Sequence, residues 1–128
     1  MWRLPFKKFF ASFMKLIHAL EDNMLFARLQ GDLIGSPDSQ QLVEVVNKNI
    51  EESIVLCAVD LSKVRFINSS GIGILVSLLT KFRNRGGEMI LINPSEHIRK
   101  LLIITKLNAI FTVAEDDAQA AKFLKESK

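Results

Sequence analysis

At 128 residues, 48% of them hydrophobic, the chain has the size and apolar content of one domain with one buried core. Its net charge of +3 comes from the first twenty residues, where Arg3, Lys7, Lys8 and Lys15 stand without an acid; the rest carries 13 basic against 14 acidic side chains. That near-neutral body argues against a nucleic-acid module, which needs a clustered basic face. The single cysteine, Cys57, excludes an internal disulfide, suits a reducing cytoplasm, and with two scattered histidines makes no metal-ligand set.

Residues 1 to 13 read as a basic aromatic extension ahead of a domain spanning 14 to 128. Lysines interrupt its apolar stretch and no small-residue cleavage site follows, which argues against a secretory signal. Phe6, Phe9, Phe10 and Phe13, with Lys7 and Lys8 beside them, would suit an arm that touches a membrane surface or a partner. A frayed or packing terminus is the other reading, and a non-native extension a third. No uninterrupted apolar run approaches the roughly 18 residues of a membrane span.

From Met14 the run MKLIHALEDNMLFARLQGDL predicts two strands around the turn Glu21-Asp22-Asn23. Ser36, Pro37, Asp38 and Ser39 supply turn and capping signals for a helix with Leu42, Val45, Val46 and Ile50 on its inner face. IVLCAVD reads as a strand buried on both faces, with Cys57 a small buried hydrophobe and Asp60 ending the strand and shaping the loop that follows. Ile72, Leu75, Leu79 and Phe82 make one stripe of a helix from about Ser70 to Arg85, closed by a cationic last turn and Gly86-Gly87. Ile74 and Leu78, off that stripe, fit either an exposed patch for a partner or a surface under the terminal helix. EMILIN is the next strand, Pro94-Ser95 opens a helix that Asn108 breaks, AIFTV is the last strand, and EDDAQAAKFLKES is a terminal helix.

The order β-β-α-β-α-β-α-β-α defines an α/β domain, a mostly parallel central sheet with an N-terminal hairpin. Such sheets present their chemistry where a strand's carboxyl end meets a helix N-terminus. Here that junction reads FINSSGIGIL. Ser69 and Ser70 fall in the N-cap region, where free backbone N–H groups and the helix dipole favour a hydroxyl or a phosphoryl group. Gly71 and Gly73 each cost up to about 1 kcal/mol against alanine in a helix, so they imply that bulk is excluded there.

Asp60-Leu61-Ser62-Lys63-Val64 followed by Phe66-Ile67-Asn68-Ser69-Ser70-Gly71-Ile72-Gly73 resembles the signature of the STAS domain family, specifically the anti-sigma factor antagonists of bacterial partner switching. The resemblance covers about Met14 to Lys125. It implies a cytoplasmic binding module, not an enzyme, that engages an anti-sigma factor serine kinase while unphosphorylated and is released by phosphorylation of Ser69, with a serine phosphatase to reset it. Asp60, Asn68, Ser70, Gly71, Gly73 and Ile74 would form the phosphosite loop and partner contact. Asn68 departs from the aspartate that usually precedes the acceptor serine. It removes a carboxylate that could orient the serine, yet relieves charge beside a phosphoserine.

Enzyme readings find little support. His18 and His97 lie far in sequence from the serines and lack the acid pattern of a triad; GxSxG is absent, and the glycines lack the lysine of a P-loop. No catalytic residue, cofactor or metal is expected. The alternative carried forward is a STAS module that is never phosphorylated and serves as a scaffold or as a subunit of a membrane transport assembly.

Overall fold

A computed structural model describes residues 14–127; the expected aromatic extension, residues 1–13, lies outside the described residues. Strands β1 (Met14–Glu21) and β2 (Met24–Leu33) form an antiparallel hairpin. Its two-residue turn has Asp22 at φ 52° and Asn23 at φ 62°, the left-handed pair that matches strand twist in a tight hairpin. A 3-10 turn (Pro37–Ser39) feeds helix α1 (Gln40–Glu51), which buries Leu42, Val46 and Ile50. Then follow β3 (Leu56–Ile67), α2 (Ser69–Asn84), β4 (Glu88–Ile92), α3 (Glu96–Ile104), β5 (Thr112–Ala114) and α4 (Asp117–Glu126). The order is the one expected from the sequence.

The five strands lie in chain order across one sheet, β1 against β2 antiparallel and every later pair parallel. Right-handed crossovers between strands laid down in that order put α1, α2 and α3 on the same face. There their apolar stripes meet Leu25, Ala27 and Leu29 of β2, Cys57, Val59 and Leu61 of β3, and Met89 and Leu91 of β4 in the main core. The terminal helix is not a crossover and covers the opposite face, with Ala120 and Leu124 on Phe26, Ala58, Ile90 and Ile92. Cys57 is wholly buried at the centre, and burial pushes its thiol up, as a structural cysteine requires.

Three expectations are corrected. β3 does not end at Asp60 but runs seven residues further, because two bulges let it stay paired with β2: Arg28 faces Asp60 while Gln30 faces Lys63, and Gly31 faces Val64 while Asp32 faces Phe66. The strand of AIFTV is confined to Thr112–Ala114; Lys106 turns the chain at φ 62°, ahead of Asn108, and the N–H groups of Ile110 and Phe111 bond back to Leu107. Leu78 belongs to no outer patch. It is 1% exposed, part of the main core, while Ile72 of the expected stripe is only half-buried.

α2 ends as its glycines foretell. Gly86 sits at φ 77°, its N–H bonds the Arg83 carbonyl and the Gly87 N–H bonds the Phe82 carbonyl, the paired closure of a Schellman motif. Arg83 turns back to Glu88 and to the Ile110 carbonyl, tying the helix end to β4 and the β5 approach.

Candidate functional site

The β3–β4 pairing stops at Asp60 opposite Ile92, whereas β2 and β3 continue together to Leu33 opposite Ile67. Beyond Asp60 β3 is therefore paired with β2 alone; among the described residues β1 lies along β2 only as far as Met14 opposite Gly31, and the last residues, to Leu33 and Ile67, form a two-stranded tip at which α2 starts. Ser69 and Ser70, the first two residues of that helix, are both exposed.

The cap is Asn68, not either serine. Its Oδ1 accepts the Gly71 N–H at 2.9 Å, and its Nδ2 donates to the Ile34 carbonyl at 3.3 Å, so the side chain joins the helix start to the end of β2. Sequence reasoning assigned the cap to the serine hydroxyls because both residue types serve; the contact with Ile34 decides between them. With the Gly71 N–H capped and the Ile72 N–H bonded to the Asn68 carbonyl, the N–H groups of Ser69 and Ser70 are the first-turn donors left over. Neither serine hydroxyl makes a hydrogen bond among the described residues.

The two glycines have different causes. A Cβ on Gly71 would lie 2.0 Å from the Leu33 carbonyl oxygen and 2.8 Å from Ile67 Cγ1, so the close approach is the helix against its own sheet. A Cβ on Gly73 would meet nothing within 4 Å. Gly73 is exposed one turn along from the serines, with no internal reason for its missing side chain. Gly35, at φ 77°, brings its loop against Ser70, where a Cβ would sit 2.8 Å from the serine Cβ.

Phe66, not singled out as a contact residue from sequence, is 49% exposed just ahead of the serine pair. Simple alternation would place it on the inward face with Val64; the bulge between Val64 and Phe66 turns it outward, so no sequence signal marked it. Arg65 pairs with Asp32 at 3.3 Å on the same ribbon. Ile74 is half-buried against the core.

Asp60 is not part of this tip. Seven residues of extended chain, about 20 Å, separate it from Ile67, and its partners lie elsewhere. Its Oδ1 accepts the Ser62 N–H at 2.8 Å and its Oδ2 accepts from Arg28 at 2.9 Å. Arg28 also forks onto Asp117 with bonds of 3.0 and 2.7 Å and lies 5.7 Å from the Phe26 ring centroid. One guanidinium thus ties β2, β3 and α4 together, and the hydrogen bond to Asp117 above all holds it protonated. Burial would raise the Asp60 carboxyl, but the bonds from Ser62 and Arg28 outweigh it and hold the group below its ordinary value.

Among the described residues no cluster of His, Cys, Asp and Glu could hold a metal, and no helix is long and apolar enough to cross a membrane.

A domain of this topology, with an exposed serine pair just after the Asn68 cap at the strand-to-helix junction, matches the STAS domain family over residues 18–120. The chain belongs to that family. It is 30% identical over 111 residues, 86% of this chain and 95% of the relative, to a protein of Bordetella bronchiseptica named a candidate anti-sigma factor antagonist, BtrV. Its fold is shared with an anti-sigma factor antagonist from Mycobacterium paratuberculosis, with TM-score 0.74 and 17% identity over 88% of this chain and 94% of that one. It is shared also with the Bacillus cell fate determinant SpoIIAA in its phosphorylated form, with TM-score 0.67 and 20% identity over 86% of this chain and 98% of that one.

Proposed function

We propose that this chain is an anti-sigma factor antagonist, a cytoplasmic binding protein that engages an anti-sigma factor serine kinase while Ser69 is unmodified and releases it once Ser69 is phosphorylated. The observation that carries the reading is the state of Ser69 itself: exposed, its hydroxyl without a partner among the described residues, at the first residue of a helix that starts where β3 ends, well past the last pair of β3 with β4. The hydroxyl oxygen takes the γ-phosphoryl of ATP in the kinase, ADP leaves, and the hydroxyl proton passes to the kinase's base. The names of the relatives point the same way, and one fold relative is known in a phosphorylated form.

Charge makes the switch. A phosphoryl group adds about −1.5 to −2 to a surface that a partner must desolvate, beside the half-exposed Phe66 and the bare backbone at Gly73. The helix itself tolerates the group, because the leftover N–H groups of Ser69 and Ser70 and the positive end of the dipole stabilise an anion at this point. The modification therefore acts on docking more than on folding, and a serine phosphatase returns the binding form.

The test is to incubate the chain with its cognate kinase and ATP and locate the phosphate by peptide mass spectrometry. Modification at Ser69 that vanishes in Ser69→Ala supports the reading. Phosphate at Ser70 alone, or no phosphate on a chain that still binds the kinase, contradicts it and favours an unphosphorylated STAS scaffold.

A further inference from the structure

Among the described residues β1 forms one edge of the sheet, and its outer side is poorly defended. It is eight residues long, contains no proline, and pairs with β2 in unbroken register, without a bulge to twist it away. Its charged residues, Lys15 and Glu21, stand near its two ends, with Leu16, Ile17, His18, Ala19 and Leu20 between them. Ile17 is 69% exposed and Leu20 50%. Edges of this kind recruit another strand unless charge, proline or a covering element prevents it.

The hairpin fixes which backbone groups are on offer. A two-residue turn makes Glu21 and Met24 a hydrogen-bonded pair, and the pattern alternates from there through Ala19–Phe26, Ile17–Arg28 and Lys15–Gln30. Leu16, His18 and Leu20 therefore direct N–H and C=O outward. Met14 has the same phase, but its N–H is taken by the Asp38 carboxylate at 2.7 Å. The donors and acceptors left without a partner among the described residues are centred on His18.

We propose that β1 pairs antiparallel with β1 of a second copy of this chain, about a two-fold axis through His18, extending the two sheets into one. In that register Leu16 and Leu20 exchange backbone hydrogen bonds across the axis and His18 exchanges them with its own counterpart, so every outward group centred on His18 is satisfied. Ile17 lies beside Ala19 of the second copy on one face, and Leu16 beside Leu20 on the other. Lys15 falls opposite Glu21, and the symmetry makes that opposite-charge pair twice. A slip of two residues in either direction sets Lys15 against Ala19 or Asn23 and loses both pairs. The complementarity of the strand with its own reverse is what selects a second copy over another occupant. This contact uses the edge opposite β5 and rests on no assumption about Ser69.

Sedimentation velocity on the full chain, over a micromolar to near-millimolar series, tests it. A concentration-dependent species of twice the monomer mass is expected. Lys15→Glu or Glu21→Lys alone sets like charges opposite and should weaken the dimer by at least about tenfold, and the double exchange of the two residues should restore it. Both side chains are exposed, and a circular-dichroism melt of each variant verifies folding. A full chain that stays monomeric throughout overturns the proposal, including the case in which a chain beginning at Met14 dimerises and residues 1–13 prove to be the cover. A dimer indifferent to both single charge reversals overturns it as well.

Discussion

The Asn68 amide oxygen lies 2.9 Å from the Gly71 nitrogen and accepts its N–H, closing the first turn of α2 from the residue immediately before Ser69. The same side chain donates through Nδ2 to the Ile34 carbonyl, a bond a carboxylate cannot make. Removing both bonds with Asn68→Ala should lower stability by about 1–2 kcal/mol. Asn68→Asp keeps the cap and loses the tether, so its loss should be smaller. Urea titrations of the three proteins check the ranking; an aspartate variant as unstable as the alanine one would mean that the cap carries little of the effect.

Gly71 and Gly73 separate folding from docking. Gly71→Ala drives a Cβ into the Leu33 carbonyl and should destabilise by about 2–3 kcal/mol or more. Gly73→Ala meets open space and gains helix propensity, so it should stabilise the chain by about 0.5–1 kcal/mol. If a partner closes over that backbone, the more stable variant binds the kinase more weakly. Denaturant midpoints beside calorimetric binding show whether the two effects take opposite signs.

Asp60 should give stability a dependence on acid. Its folded carboxyl titrates below the ordinary 3.8, since the bonds from Ser62 and Arg28 exceed the effect of burial. A group depressed in this way stabilises the fold fully above its unfolded value, and that contribution is lost as pH falls through the folded one. Asp60→Asn should therefore be less stable than the parent near neutral pH, with the gap narrowing below about pH 4. Urea midpoints at neutral and acid pH measure it; a gap that stays constant or widens in acid would remove Asp60 from the Arg28 clamp.

Much of this was legible in the residues. The apolar run ending at Asp60 announced a central strand, Gly86-Gly87 announced the end of α2, and the helices read from Pro94-Ser95 and from EDD do begin there, Ser95 and Asp116 each accepting an N–H three residues on. The remainder of β3 was not, because alternation is the signal of a strand and the bulges spoil it. Buried positions run Cys57, Val59 and Leu61 and then Val64 and Ile67, a spacing of two that becomes three wherever an extra residue is inserted. The inner face of α2 was misread for a tertiary reason. Gly71 lets the helix start press on Leu33, and that contact turns Leu78 inward and leaves Ile72 half-covered. At the site, the exposure of the serine pair followed from its place at a strand-to-helix junction, whereas the role of Asn68 depended on where Ile34 comes to rest.

The central claim is that an uncharged Ser69 is the condition for docking. The most direct measurement is the affinity of the cognate anti-sigma factor kinase for the parent chain, Ser69→Ala and Ser69→Asp, by isothermal titration calorimetry. The account predicts that alanine binds within a few-fold of the parent and that aspartate binds about a hundredfold more weakly, a difference of about 3 kcal/mol, with both variants folded. Equal affinity for the alanine and aspartate variants would contradict it.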